Sequence, residues 1–161
     1  MLADASLQLS ARHVALQKAL GCLNAADFDG FAELFDPSVI TVDPAVGNPV
    51  GRTWISDEQR ALRKRFPDLS YQFDELIEAG ELSLLLVTVM GTDPSGLLGT
   101  RSPGHAYRLP VCLVLEWAGE QVVTIRGYSE PGLVPRLLRP SDGFGAPVDV
   151  PPSATFEGVE S

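Results

Sequence analysis

The apolar positions of the chain change their period partway along it. From Ser6 to Leu23 the residues Leu9, Leu16, Leu20 and Leu23 recur at helical spacing, which predicts a helix with one apolar stripe. His13 falls on that stripe, where a packed structural histidine is expected. Asp27 stands where an N-cap belongs, ahead of a short second helix through Phe35. "SVITVDP" reads as a short strand ended by Pro44. After the turn-rich "AVGNPVG" a third helix opens near Ser56 or Asp57 and stops before Pro67. Beyond it come runs of β-forming residues. "YQFDELIE", "LSLLLVTVMG", "YRLPVCLVLEW" and "QVVTIRGY" are strands, turned at Ala79-Gly80 and at Ala118-Gly119-Glu120.

Helices first and a meander of long strands after them spell an α+β fold, a curved antiparallel sheet with helices packed on one face. "SLLLVTVM" and "VCLVL" are apolar at even and odd positions alike, so both faces of the central strands call for burial. Three short helices cover one face only, and a second copy of the chain is expected over the other, making a homodimer through the sheet. On the last strand Val123 and Ile125 alternate with Thr124 and Arg126, and Gly127 is next in line on the apolar face. Between the second and third long strands lies "TDPSGLLGTRSPGHA", a loop of a length that commonly covers a site, with Leu97 and Leu98 as its apolar underside.

With 161 residues, 45% hydrophobic and 20% charged, the chain makes one domain with a real core, placed at residues 1–139. Residues 140–161 carry several prolines and four acids, Asp142, Asp149, Glu157 and Glu160, without a basic residue. They are expected to form a disordered or loosely docked tail. The net charge of −9 argues against nucleic acid and anionic membrane as partners. Cys22 and Cys112 lack metal-ligand spacing and read as buried thiols, so no metal is expected. No basic leader and no bilayer-length apolar run is present in the sequence, and a soluble, cytoplasmic protein is expected.

Four stretches taken in order, "NAADFDGFAELFDPSVITVDP", "GRTWISDEQRALRKRFPDLSYQFDELIEAGE", the "GT...GLLGT...PGH" loop and "QVVTIRGYSEP", resemble the SnoaL-like polyketide cyclases. These belong to the nuclear-transport-factor-2-like superfamily, with ketosteroid isomerase and limonene epoxide hydrolase as relatives. The resemblance runs from Ser6 to Leu138. It implies a cone-shaped α+β barrel around a deep apolar cavity, and a cyclase or isomerase of secondary metabolism that uses no cofactor on a hydrophobic polyketide-like substrate. The chemistry it implies is acid/base, a carboxylate moving a proton beside a carbonyl while hydrogen-bond donors hold the enolate oxygen.

The acting aspartate of such cyclases lies on the last strand, where this chain has Gly127, and the positions facing it are Val111 and Leu113 rather than polar residues. Three groups remain as catalytic candidates. Glu130 is the nearest acid to the end of that strand. Asp43 precedes Pro44, in an Asp-Pro pair that relatives place near the cavity mouth. His105 titrates near neutrality at the rim of the long loop. The expected pocket wall comprises Tyr107, Leu109, Val111, Leu113, Ile125 and Gly127, together with Phe31, Trp54 and Phe66. With so few polar groups, ring closure driven by the shape of the cavity is the leading reading. An epoxide hydrolase of the limonene type, and a carrier that binds without catalysis, are the alternatives.

Overall fold

Three helices precede the long strands, as the change of period requires. They are α1 (Ala11–Asn24), α2 (Phe28–Ala32) and α3 (Arg52–Arg65). The strands are β1 (Phe35–Thr41), β2 (Ser70–Ala79), β3 (Leu82–Asp93), β4 (His105–Ala118) and β5 (Gln121–Tyr128). The computed structural model describes residues 9–43, 47–93 and 104–129. The tail at 140–161 and the loop with Leu97 and Leu98 lie outside the described residues.

Local chemistry explains where the helices begin. Ser10 Oγ accepts from the His13 N–H at 3.0 Å, so α1 starts there, and Leu9, ahead of the cap, is exposed rather than part of the buried stripe. Leu16, Ala19, Leu20 and Leu23 are the face that packs inward. His13 is structural as expected, its ring 4.6 Å from that of Phe73 on β2. Asp27 caps α2 by accepting from the Gly30 N–H at 2.9 Å. That helix ends at Ala32, and Phe35 opens β1 instead of closing the helix. α3 starts at Arg52, four residues before the expected Ser56, because Gly51 with φ of 105° turns the chain directly into it.

One five-stranded sheet has the order β1-β5-β4-β3-β2. Three of its pairings are antiparallel, and β1 runs parallel to β5, so the sheet is mixed at that edge. Gly80, with φ of 61°, makes the tight β2–β3 turn. A bulge in β5 sets Glu116 opposite Thr124 but Trp117 opposite Val122, leaving Val123 as the extra residue. The simple alternation that put Val123 with Ile125 and Gly127 is thereby corrected. Val122 is the fully buried residue, and Ile125 and Gly127 face inward opposite Leu115 and Leu113. A second bulge, between Phe73 and Glu75 in β2, adds to the curl of the sheet toward the helices.

The core fills the helix side. Phe35, Phe66, Leu16, Leu85, Leu115, Val39 and Val122 are all but sealed from solvent. At the closed end Trp117 Nε1 donates to Ser83 Oγ at 3.0 Å, and the Arg12 guanidinium lies 5.2 Å from the indole centre. The other face of the sheet leaves Ile77, Leu82, Leu84 and Tyr128 exposed. It carries a groove of ≈ 430 Å³ bordered by Asp74, Leu86, Pro110, Cys112, Tyr128 and Ser129.

At the opposite end Asp68, in the turn between α3 and β2, accepts from Thr92 Oγ1 at 2.6 Å and from the Thr92 N–H at 3.1 Å. These bonds hold its carboxyl below the ordinary aspartate range. A group whose pKa is depressed by folding stabilises the fold above its unfolded pKa and loses that effect as the pH falls through the folded value. Asp68→Asn therefore lowers the melting temperature modestly at neutral pH, and the gap from the unsubstituted protein closes in strong acid. Thermal unfolding at two pH values measures it.

Candidate active-site cleft

The helices do not cover the inward face evenly. Leu85, Val87, Val89, Leu115 and Trp117 are buried under them, whereas Leu109, Val111, Leu113 and Ile125, on the same face by register, are half-covered and Gly127 is exposed. An apolar floor is thus left open along the far halves of β4 and β5.

α3 forms one wall. Ile55, Leu62 and Phe66 point into the core, and beside them Trp54, Glu58 and Arg65 make a second stripe at helical spacing, each half-buried. Glu58 lies three residues after Ile55 and four before Leu62, so its carboxyl stands on the inner margin of the helix. Burial is the main cause that raises its pKa above the ordinary glutamate range. Arg65 pulls it down, and Asp43 and Asp57 push it further up.

The end of β1, against which α3 packs, forms the other wall. Thr41 is the parallel partner of Ile125, and the Val42 N–H donates to the Ile125 carbonyl at 2.8 Å. Asp43 follows two residues after Thr41, where β1 has ended. Asp43 is fixed by its backbone: its N–H donates to Asn48 Oδ1 at 2.8 Å and its carbonyl accepts from the Asn48 N–H at 3.1 Å. Thr41 Oγ1 is shut off from solvent and has no hydrogen-bond partner among the described residues. A buried hydroxyl in that condition costs on the order of 1–3 kcal/mol.

Tyr107 closes the floor at the top. Its ring meets that of Phe66 edge-on at 5.8 Å, and its hydroxyl lies over Gly91, where an added Cβ would come within 2.5 Å of it. Burial first, then the charges of Asp68 and Asp93, push its pKa up to about 12, so it is a neutral phenol at any working pH. Its oxygen too has no hydrogen-bond partner among the described residues.

By register Leu109, Val111, Leu113, Ile125 and Gly127 share the inward face with Tyr107, while Asp43 follows the end of β1 and Trp54 is half-buried on α3. Phe66 is 1% exposed and underlies it, and Phe31 packs edge-on against Phe35, 5.1 Å away, in the core. His105 opens β4 opposite Asp93, and its side chain, like the whole of Glu130, lies outside the described residues. Sequence reasoning passed over Glu58, Arg65 and Thr41. A signal for the first was present in the Ile55–Glu58–Leu62 spacing. Among the described residues no group of three or more His, Cys, Asp or Glu side chains could hold a metal ion, and no helix is long and apolar enough to cross a membrane.

Residues 16–125 match the SnoaL-like domain family. No curated protein matches the chain. Among solved structures, it is similar to a SnoaL-like polyketide cyclase of Agrobacterium tumefaciens, at 16% identity and a TM-score of 0.64 over 81% of this chain and 100% of the other. A nuclear-transport-factor-2-like protein of Burkholderia pseudomallei gives 18% identity and a TM-score of 0.66 over 82% and 100%. A protein of Catenulispora acidiphila with a ketosteroid isomerase-like fold, in complex with trimethylamine, gives 16% and 0.61 over 81% and 97%. At these identities the likeness establishes the shared fold, a curved sheet closed by helices.

Proposed function

Since the chain belongs to the SnoaL-like family, which includes cyclases and isomerases, we propose that it is a cofactor-independent cyclase or isomerase acting beside a carbonyl of a hydrophobic, polyketide-like substrate. The observation that carries this reading is a half-covered apolar floor beside a carboxyl, Glu58, whose pKa burial raises above the ordinary glutamate range, and a second carboxyl, Asp43, within its electrostatic reach. Polar groups poised between acid and base at the rim of an apolar cleft are suited to moving a proton on carbon.

The roles follow from chemistry. Asp43 takes a proton from the carbon next to the carbonyl while Glu58 gives its own to the oxygen. Returning the proton at another carbon completes an isomerisation. In a ring closure the enol carbon attacks a second carbonyl of the folded substrate. The new alkoxide takes the proton held by Asp43, and the enol proton goes back to Glu58. Atoms balance without an added reagent. Shape still contributes by holding the two carbons in reach, but catalysis does not rest on shape alone.

Exchange of the α-protons of α-tetralone in deuterated buffer, followed by proton NMR, tests the reading without the natural substrate. Acceleration over buffer is expected; a carrier would return the ketone unlabelled, and that outcome would overturn the proposal. The pairing of Asp43 and Glu58 with Arg65 nearby also favours a second reading, epoxide opening, in which two carboxyls and an arginine direct a water. Heavy oxygen from labelled water in the diol formed from limonene oxide would establish it.

The apolar outer face with its groove supports a homodimer through the sheet. Light scattering at micromolar concentration is expected to give twice the chain mass, and Leu84→Glu, which charges an exposed apolar position of that face, to shift it toward the single-chain value.

A further inference from the structure

Gly127 is the one inward position on β5 without a side chain, and neither conformation nor crowding demands that. It is absent from the glycines and other residues with positive φ, so its backbone suits any residue. An added Cβ would meet, among the described residues, only Leu113 Cδ2 at 3.6 Å, an ordinary van der Waals contact. Glycine inside a strand is otherwise unfavourable, since it gives up packing and costs backbone entropy. What the residue supplies is volume. The space it leaves is bounded by Leu113 and Ile125, which are apolar, and it follows Ile125, the β5 partner of Thr41 at the end of β1. Gly91 is a contrast within the same sheet: there an added Cβ would strike the Tyr107 hydroxyl, so a side chain of the protein already uses the room.

We propose that Gly127 is a notch in the cleft floor that receives one ring of a fused-ring, planar ketone, and that the size of the residue at this position sets which substrates enter. A ring can lie flat against the exposed glycine backbone, flanked by the Leu113 and Ile125 side chains, with its carbonyl directed to the wall that carries Asp43 and Thr41. A flexible chain gains less from such a notch than a flat rigid ring, because the ring fills it with no rotamers to freeze. This rests on the cleft reading above and adds the substrate class.

The test compares ketone binding by wild type, Gly127→Ala and Gly127→Val, using cyclohexanone and the fused-ring α-tetralone as probes. Quenching of tryptophan fluorescence reports occupancy. Trp54 stands at the cleft margin, while Trp117 is sealed at the closed end and serves as a constant background. Valine is expected to weaken α-tetralone binding by roughly 10- to 200-fold, the range for a clash or loss of about one aliphatic group in an apolar pocket. Alanine falls in between, and cyclohexanone shifts by no more than about twofold in either variant, being small enough to sit beside the new methyls. Valine suits a strand, so the fold should persist, and the melting temperature confirms it. If valine requires repacking, alanine alone decides. Equal weakening of both ketones, or none, would overturn the notch and leave the cleft reading standing. A wild-type protein that binds neither ketone would overturn both.

Discussion

Asp43→Asn and Glu58→Gln each slow α-proton exchange on a bound ketone by roughly 100- to 10,000-fold, the usual worth of a positioned acid or base, while ketone affinity stays within about threefold. The asymmetry between rate and affinity is what separates catalysis from architecture. Asparagine at position 43 keeps the two backbone hydrogen bonds of that residue to Asn48. Glutamine at 58 keeps the volume of the side chain on the α3 margin. The two variants then part company in their pH dependence. Glu58 must be protonated to act, and burial raises its pKa above the ordinary glutamate range. Exchange by the unsubstituted protein therefore falls away as the pH rises through that raised value, and Glu58→Gln removes this alkaline limb altogether.

Stability supplies a second sign. The folded state holds the Glu58 proton to higher pH than the unfolded chain does, so folding is favoured below the ordinary glutamate range and disfavoured as the pH rises through the raised value. Glutamine never ionises. Glu58→Gln should accordingly melt higher than the unsubstituted protein at neutral pH and match it in acid, while losing activity. A residue kept only for structure would lose stability when replaced. Such opposition between stability and activity is a mark of a functional site.

The strands and their faces were legible because their signals are local. "LSLLLVTVMG" and "YRLPVCLVLEW" read as strands and are β3 and β4, and the shared parity of Tyr107, Leu109, Val111 and Leu113 puts them on one face, as the register has it. Two features were not local. The bulge at Val123 is a count mismatch between β4 and β5, and no reading of β5 alone can reveal it. The parallel pairing of β1 with β5 joins residues more than eighty positions apart, and it alone brings the end of β1, just ahead of Asp43, beside Ile125. Gly127 taken by itself looked like the loss of the family's acid; a carboxyl, Asp43, follows two residues after the end of the neighbouring strand. Glu58 was hidden for another reason. In "SDEQRALRKR" a glutamate among so many charges looks like a solvated helix face, and only the packing of α3 on β1 turns its side toward the cleft. A charged residue three or four positions from two buried apolar ones was the available signal.

Phe66→Ala is expected to lower the free energy of unfolding by about 3–5 kcal/mol, a loss that a domain of ordinary stability, about 5–15 kcal/mol, survives only narrowly. The ring is 1% exposed, at the C-cap of α3, where its N–H donates to the Leu62 carbonyl at 2.9 Å and its face meets the Tyr107 edge at 5.8 Å. Truncation leaves a void that the two elements cannot close without moving α3, the helix that carries Trp54, Glu58 and Arg65. Phe66→Leu, which keeps most of the volume, should cost about 1–1.5 kcal/mol. Urea unfolding measures both, with a shifted midpoint and an unchanged slope expected for a loss confined to the native state. The leucine variant is the informative one for function. If the cleft depends on where α3 holds Glu58, α-proton exchange declines by far more than that small loss of stability accounts for, since the protein remains folded in the assay. An exchange rate equal to that of the unsubstituted protein would instead mean that the Phe66–Tyr107 contact merely fills the core, and that Glu58 is positioned by β1 alone.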